Sequence, residues 1–305
     1  PLAAFRIPER EADETELKIL MKQFVRPFDL GTAPLFRAEL ITLGAERHVL
    51  LIDMHHIISD GESVNILERE FAALYAGGEL PEIRKQYKDY SVWQIARLSA
   101  GDLKREEEYW LGKFSGEVPV LNLPTDYTRP SRKSFRGART FLDLDPETVS
   151  GIRDMASHSE ATIFMVLFAA FNVVLSRYSG QDDIVVGIPV AGRRHPDTLD
   201  LIGMFVGTLA IRSNPGWDKS FADFLAEVRA VLIESYENQD YPVERLVEKV
   251  CPTRDLSRNP LFDTCFVLQN MDVSLMKAEG LSFTPGMIDT GTTKFDLTLE
   301  ADVTS

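Results

Sequence analysis

A mixed α/β fold of two layered subdomains is the class this sequence predicts, on three observations. Segments with strand periodicity alternate with segments of helix periodicity in both halves of the chain. The 305 residues suffice for two domains of ordinary size. Hydrophobic residues make up 44% and charged residues 26%, enough for a real core under a wet surface.

The elements follow in order. Residues 14–25 carry a helical pattern and precede a Pro/Gly loop, "RPFDLGTAP". "PLFRAELITL" and "HVLLIDMHH" read as strands joined by the turn "GAER", a hairpin by composition. Val64, Leu67, Phe71, Leu74 and Tyr75 form a helical stripe that Gly77 and Gly78 end. Ser59 with Glu62 three residues on reads as a capping box, so this helix begins inside "HHIISDG". "YKDYSVWQIARL" and "DLKREEEYWLGKF" are helical by period. The polar, Pro-rich "LNLPTDYTRPSRKSFRG" is a connector and divides the chain into 1–127 and 128–305. Beyond it "FLDLD" reads as a strand, and Asp145-Pro146 starts a helix with a cap and a first-turn proline. Residues 160–178 are apolar on nearly all sides, which predicts a buried helix. "DDIVVGIPVAG" and "FVGTLAIR" are strands, and 219–236 is a helix with Phe221, Phe224, Leu225, Val228 and Leu232 inward. "FDTCFVLQN" and "KFDLTLE" complete the strands.

A net charge of −14 and a pI near 4.9 exclude a phosphate-backbone partner, and no Lys/Arg cluster makes a basic face. Cys251 and Cys265 make no disulfide framework and read as small buried residues of a reducing compartment. The first residues lack the cationic start and apolar core of a signal peptide. The longest apolar run, 163–175, is too short to span a bilayer and contains Asn172, so a cytoplasmic protein is expected, with neither nucleic acid nor membrane as partner. The chain opens mid-sentence on proline and closes on an alternating strand, which reads as a fragment of something larger.

Two of the five histidines stand side by side in "MHHIISDGES". If the strand runs through the pair, His55 and His56 point to opposite faces and cannot share one ligand, so a zinc site with Asp60 is poor geometry. Two readings remain on the residues alone. In one, the histidines end a strand and "SDG" is a turn and helix cap. In the other, one imidazole is a general base, suited to it by a reference pKa of about 6.5, Asp60 fixes the local structure and Gly61 clears space for substrate.

Five stretches in order change the balance. "MHHIISDG" resembles the HHxxxDG signature of nonribosomal peptide synthetase condensation domains, within the chloramphenicol acetyltransferase-like superfamily. "YKDYSVW" (87–93), "IGMFVGTLAIR" (202–212), "NQDYPVE" (238–244) and "RDLSRNPLFD" (254–263) resemble that family's YxDYxVW, IGxFVNTxxxR, HQDYPFE and RDxSRNPLF segments. The resemblance covers essentially the whole chain. Gly207, Asn238 and Val243 depart from the family's Asn, His and Phe. Its RHExLR segment, whose arginine would pair with the motif aspartate, is missing, so Asp60 is expected to lack its partner here.

The resemblance implies two chloramphenicol acetyltransferase-like subdomains in a V-shaped pseudo-dimer around a central tunnel. The first, acceptor-side subdomain is incomplete at its N-terminus and the second is truncated at its end. It implies amide formation by attack of a carrier-bound aminoacyl amine on a carrier-bound acyl or peptidyl thioester. The partners are donor and acceptor peptidyl carrier domains and an adjacent adenylation domain. The 4'-phosphopantetheine rides on the carriers, and no cofactor or metal is bound directly. By position His56 is the catalytic histidine, as base or as a group that orients the amine. His55 and Asp60 are structural, Gly61 leaves room, and Arg212 and Asn259 hold the subdomains together. The aromatics of "YKDYSVW" are packing, and "NQDYP" is a turn before Pro242. Paired histidines argue against a cyclisation domain, "IGMFVGT" against an epimerisation domain and the intact motif against a silent recruitment domain; the silent recruitment domain and the sibling epimerisation domain are the alternatives kept. "MHHIISDGES" is closer to domains that join two L-configured residues.

Overall fold

Asp13 opens the first helix. Its carboxylate accepts the Thr15 and Glu16 N–H groups at 2.8 Å, and Glu16 accepts the Asp13 N–H in return at 3.1 Å. Helix α1 (Glu14–Phe24) then buries Leu17 and Phe24 against Ile41 and Leu51 of a three-stranded sheet. That sheet has the order β1-β2-β3, with β1 (Glu9–Glu11) parallel to β2 (Phe36–Gly44) and β2 antiparallel to β3 (Arg47–Met54). Helix α2 (Gly61–Tyr75) follows.

The computed structural model describes residues 5–251, 253–269, 277–278, 280–284 and 286–302. Residues 1–4, 270 and 303–305 of the expected end and strand segments lie outside them. The chain forms two compact units that interleave along the sequence and do not follow a single cut after residue 127. The first holds the described residues through Tyr90, Arg193–Phe205, and those from 277 to 291, including a short hairpin of β7 (Lys277–Ala278) and β8 (Leu281–Ser282). The second holds Ser91–Gly192, the described residues from Val206 to 269, and 292–302.

The second unit is a four-stranded sheet under helices. Its strands are β4 (Ile184–Val190), β5 (Gly207–Ser213), β6 (Thr264–Gln269) and β9 (Leu297–Asp302), in the order β5-β4-β6-β9. β4 runs antiparallel to β5 and parallel to β6, and β6 runs parallel to β9. Its helices are α3 (Tyr87–Ala100, first turn in the other unit), α4 (Lys104–Lys113), α5 (Pro146–His158), α6 (Ile163–Ser179), α7 (Phe221–Glu237) and α8 (Val243–Val250). Phe168, Leu175, Ile184, Val186, Ile188, Leu225, Leu232 and Phe266 are shut off from solvent in one core. Asn172 joins them without loss, because its amide donates to the Phe168 carbonyl at 2.8 Å and it accepts the Ser213 hydroxyl at 3.0 Å. Gly180 ends α6 at φ +70°, the left-handed conformation that glycine adopts without strain. Among the described residues no single helix is long and apolar enough to cross a membrane.

Three expectations are corrected. "FLDLD" forms no strand; no neighbouring strand offers it a ladder, and Phe141 and Leu142 are 87% and 86% exposed. The buried line of α2 runs through Ser63, Ile66 and Ala72, with Leu74 and Tyr75 of the expected stripe exposed. Helix α2 is capped by Asp60 and not by a Ser59–Glu62 box: Asp60 accepts the Ser63 N–H, while Glu62 turns to Asn65. The helix does begin inside the motif, as expected.

Candidate functional site

The hairpin and α2 carry the histidine motif between them. β3 stops at Met54, and His55 adds one rung by donating its N–H to the Leu35 carbonyl at 3.0 Å. The chain then turns, with the Ile58 N–H on the His55 carbonyl at 3.0 Å. The expectation that a strand carries His55 and His56 to opposite faces is therefore corrected: a turn sets their two directions. His55 is half-buried, accepts the Ile57 N–H on Nδ1 at 3.0 Å and meets the Phe28 ring edge-on at 6.1 Å. His56 is exposed, and among the described residues its ring makes no hydrogen bond.

Asp60 is buried, and four groups converge on it. Oδ1 accepts the Ser63 N–H at 2.8 Å, the Ser63 hydroxyl at 2.7 Å and Arg193 Nη2 at 2.8 Å; Oδ2 accepts the Phe205 N–H at 2.9 Å. The expectation that Asp60 lacks its partner is corrected: Arg193, in the segment after β4, is that partner. Arg193 also donates to the Thr198 and Leu201 carbonyls at 2.7 and 2.6 Å and lies 4.1 Å over the Phe205 ring. The side chains of the pair are 3% and 2% exposed, so the attraction is little screened. Ser63 extends the network: its hydroxyl accepts the Gly203 N–H at 3.0 Å and lies 2.9 Å from the Gly203 carbonyl, so its single proton is shared between that carbonyl and Asp60.

Burial pushes the Asp60 carboxyl up, but the Ser63 hydroxyl, Arg193 and the Ser63 and Phe205 N–H groups outweigh it and hold it below the usual aspartate range. A folded carboxyl that binds its proton more weakly than the unfolded one stabilises fully above the ordinary aspartate pKa of about 4. That stabilisation is lost as pH falls through the lowered folded value. The urea midpoint of the wild type should therefore drop steeply in acid. Asp60→Asn should start lower at neutral pH and lose less, and equal acid slopes for the two would contradict the assignment.

Other motif stretches meet at the same place. The Tyr87 hydroxyl donates to the Met204 carbonyl at 2.8 Å, and the Tyr87 and Tyr90 rings sit 5.0 and 4.7 Å from Phe205. The Tyr87 ring lies so close over Gly203 that any side chain there would collide with it. "HHIISDG", "YKDY" and "IGMF" thus share one packed cluster in the first unit. Gly61 stands at its open side, where a Cβ would meet no atom within 4 Å.

Arg212 and Asn259 belong to the second unit. Arg212 forks onto Asp183 at 2.9 and 2.6 Å and donates to the Lys113 and Glu117 carbonyls at 3.2 and 3.1 Å, tying the end of α4 to the sheet. These bonds span the expected boundary at 127 but stay within one compact unit. The Asn259 amide donates to the Lys294 carbonyl at 2.9 Å and its N–H to Asp263 at 2.9 Å, so it ties its own loop to the segment that leads into β9. In "NQDYPVE" Asn238 accepts the Trp110 indole N–H at 2.9 Å and Pro242 caps α8, a structured turn. Cys265 is buried, which pushes its thiol up to about 11, and neither cysteine is in a disulfide. Among the described residues no three His, Cys, Asp or Glu side chains converge as a metal site requires.

Sequence reasoning missed Arg193, Ser63 and Phe205. Ser63, three residues beyond Asp60, stood in the position whose N–H an aspartate cap takes. For Arg193, 133 residues from Asp60, the sequence holds no local signal.

Comparisons with known proteins agree on one family. A family model described as the condensation domain matches residues 1–305. Tyrocidine synthase 3 of Brevibacillus parabrevis is 50% identical over 291 residues, 95% of this chain and 4% of that protein. Bacitracin synthase 3 of Bacillus licheniformis is 48% identical over 297 residues, 97% of this chain and 5% of that protein. This chain thus spans only a small part of the length of these relatives. Among solved structures, the X-domain from teicoplanin biosynthesis superposes with a TM-score of 0.87 at 25% identity, covering 97% of this chain and 69% of that one. The condensation domain of the Monacolin K polyketide synthase MokA superposes with a TM-score of 0.86 at 19% identity, over 97% of this chain and 71% of that one, which speaks for the fold. With the signature intact, its aspartate paired and the match running from end to end, this chain belongs to the condensation-domain family of nonribosomal peptide synthetases.

Proposed function

We propose that this domain joins two carrier-borne substrates by an amide bond, with His56 as its catalytic residue. The supporting observation is the division of labour in the motif. Asp60 spends all its bonding on Arg193, Ser63 and Phe205, and His55 is engaged by Ile57 and Phe28, whereas the His56 ring is exposed and makes no hydrogen bond among the described residues. The amine nitrogen of a carrier-bound aminoacyl group attacks the thioester carbonyl carbon of a carrier-bound acyl or peptidyl group. As the C–N bond forms and the C–S bond breaks, the pantetheine sulfur leaves and takes up the proton the nitrogen loses. His56 holds the amine by a hydrogen bond and carries that proton. An α-amine has a reference pKa of about 8, so positioning supplies much of the acceleration. Gly61 leaves space on the same turn for the substrate arms.

The test presents this chain with one carrier domain loaded with an acyl donor and another with an aminoacyl acceptor, and reads amide by mass spectrometry in a single turnover. Product in excess of the uncatalysed control is expected. Carriers bound with no product formed would overturn the reading in favour of a silent recruitment domain.

A further inference from the structure

Arg37 on β2 stands directly opposite Asp53 on β3, two residues before His55. Its side chain is 14% exposed and each of its three guanidinium nitrogens meets a partner. Nε lies 3.3 Å from Asp53 Oδ2, Nη1 and Nη2 donate to the Phe24 and Arg26 carbonyls at 3.4 and 2.7 Å, and the flat face covers the Phe28 ring at 3.6 Å. The Asp53 oxygen is at ion-pair distance but off the hydrogen-bond axis, so that contact is a charge attraction and not a directed bond. Burial pushes the Asp53 carboxyl up, and the Arg37 charge does most to oppose it. Arg37 therefore pins the loop that carries Phe28 onto the hairpin. Phe28 in turn stands perpendicular, at 89°, to the His55 ring.

The His55 ring angle has a consequence one residue on. Its Nδ1 accepts the Ile57 N–H, which with the Ile58–His55 backbone bond closes the turn that holds His56. A His55 ring that swings away loses this bond, and the turn loosens.

We propose that Arg37 is a positioning residue for condensation: through Phe28 it fixes the His55 ring, and through His55 the turn that presents His56. This rests on the reading of His56 given above. A hydrophobic wedge behind Phe28 would fill the same space, but only a flat, multiply bonded cation both stacks on the ring and ties the loop carbonyls, so Arg37→Lys should rescue little.

The test uses Arg37→Gln and, as a milder change that keeps the arginine, Phe28→Leu, in the whole chain labelled with 15N at histidine. With five histidines, each imidazole can be assigned by single replacement. Both variants should shift the His55 ring resonances. They should also lower kcat for amide formation roughly 10- to 100-fold while KM for the loaded acceptor carrier stays within about twofold. Unchanged His55 resonances, unchanged kcat, or a KM that rises in step with the loss would each overturn the proposal. A wild-type chain that forms no amide strikes the condensation reading instead, and the resonances then decide alone whether Arg37 sets His55.

Discussion

Arg193→Met is expected to cost about 3–5 kcal/mol of unfolding free energy, the usual loss when one partner of a buried ion pair is removed. Four groups converge on Asp60, but only Arg193 brings a full charge to it. Without the guanidinium the carboxylate stays 2% exposed and uncompensated, and the Thr198 and Leu201 carbonyls lose their donor. Methionine fills much of the volume over Phe205, so the loss reports on charge and hydrogen bonding more than on a cavity. Urea unfolding at neutral pH measures it. Arg193→Lys should fall in between, since one ammonium cannot serve Asp60 and two carbonyls in the same fork. A loss below about 1 kcal/mol for Arg193→Met, the range of exposed pairs, would contradict the placement of this pair in the core of the site.

His56→Ala should lower the single-turnover rate of amide formation by about 10²–10⁴-fold, the usual contribution of one positioned acid–base group. The same change should leave the urea midpoint where it is, because the ring is exposed and makes no hydrogen bond among the described residues. His55→Ala should lower the rate at least as far as the Arg37 and Phe28 changes do, and unlike His56→Ala it should also destabilise the fold. It breaks the Nδ1 bond to Ile57 and the edge contact with Phe28, so it lowers the melting temperature, and the rate falls as the turn loosens. A His56→Ala protein with an undiminished rate would remove the imidazole from the chemistry.

Much of this architecture was legible because it is local. The α6 run is apolar on nearly all sides and packs one face into the core, with Val174 and Tyr178 left exposed; α7 keeps Phe224, Leu225, Val228 and Leu232 inward at the spacing the sequence shows. The β2–β3 hairpin follows from two alternating runs around "GAER". What was missed depends on partners. β1 is three charged residues that become a strand only beside Leu40–Thr42. "FLDLD" has the alternation of a strand without a neighbour to pair with. Helix α8 carries a clear period, Val243, Leu246, Val247 and Val250, which the reading of that stretch as a turn before Pro242 passed over. At the site, the motif string did not show that the chain would turn after His55. Nor could it choose, among 33 lysines and arginines, the one that returns to Asp60 from the far side of β4. The face of α2 was misjudged for the same reason: Ser63 is buried by its bonds to Asp60, Arg193 and Gly203, and hydrophobic periodicity gives no weight to a serine.

The central structural claim is that Asp60 and Arg193 form one buried, mutually dependent pair at the start of α2. A double-mutant cycle of Asp60→Asn and Arg193→Met, read by urea unfolding at neutral pH, tests it most directly. The two changes should be strongly non-additive, with a coupling of about 1–3 kcal/mol, because once either charge is gone the other has lost its reason to be buried. Losses that add to within about 0.5 kcal/mol would show two independent residues, and the account of the site would fail with them.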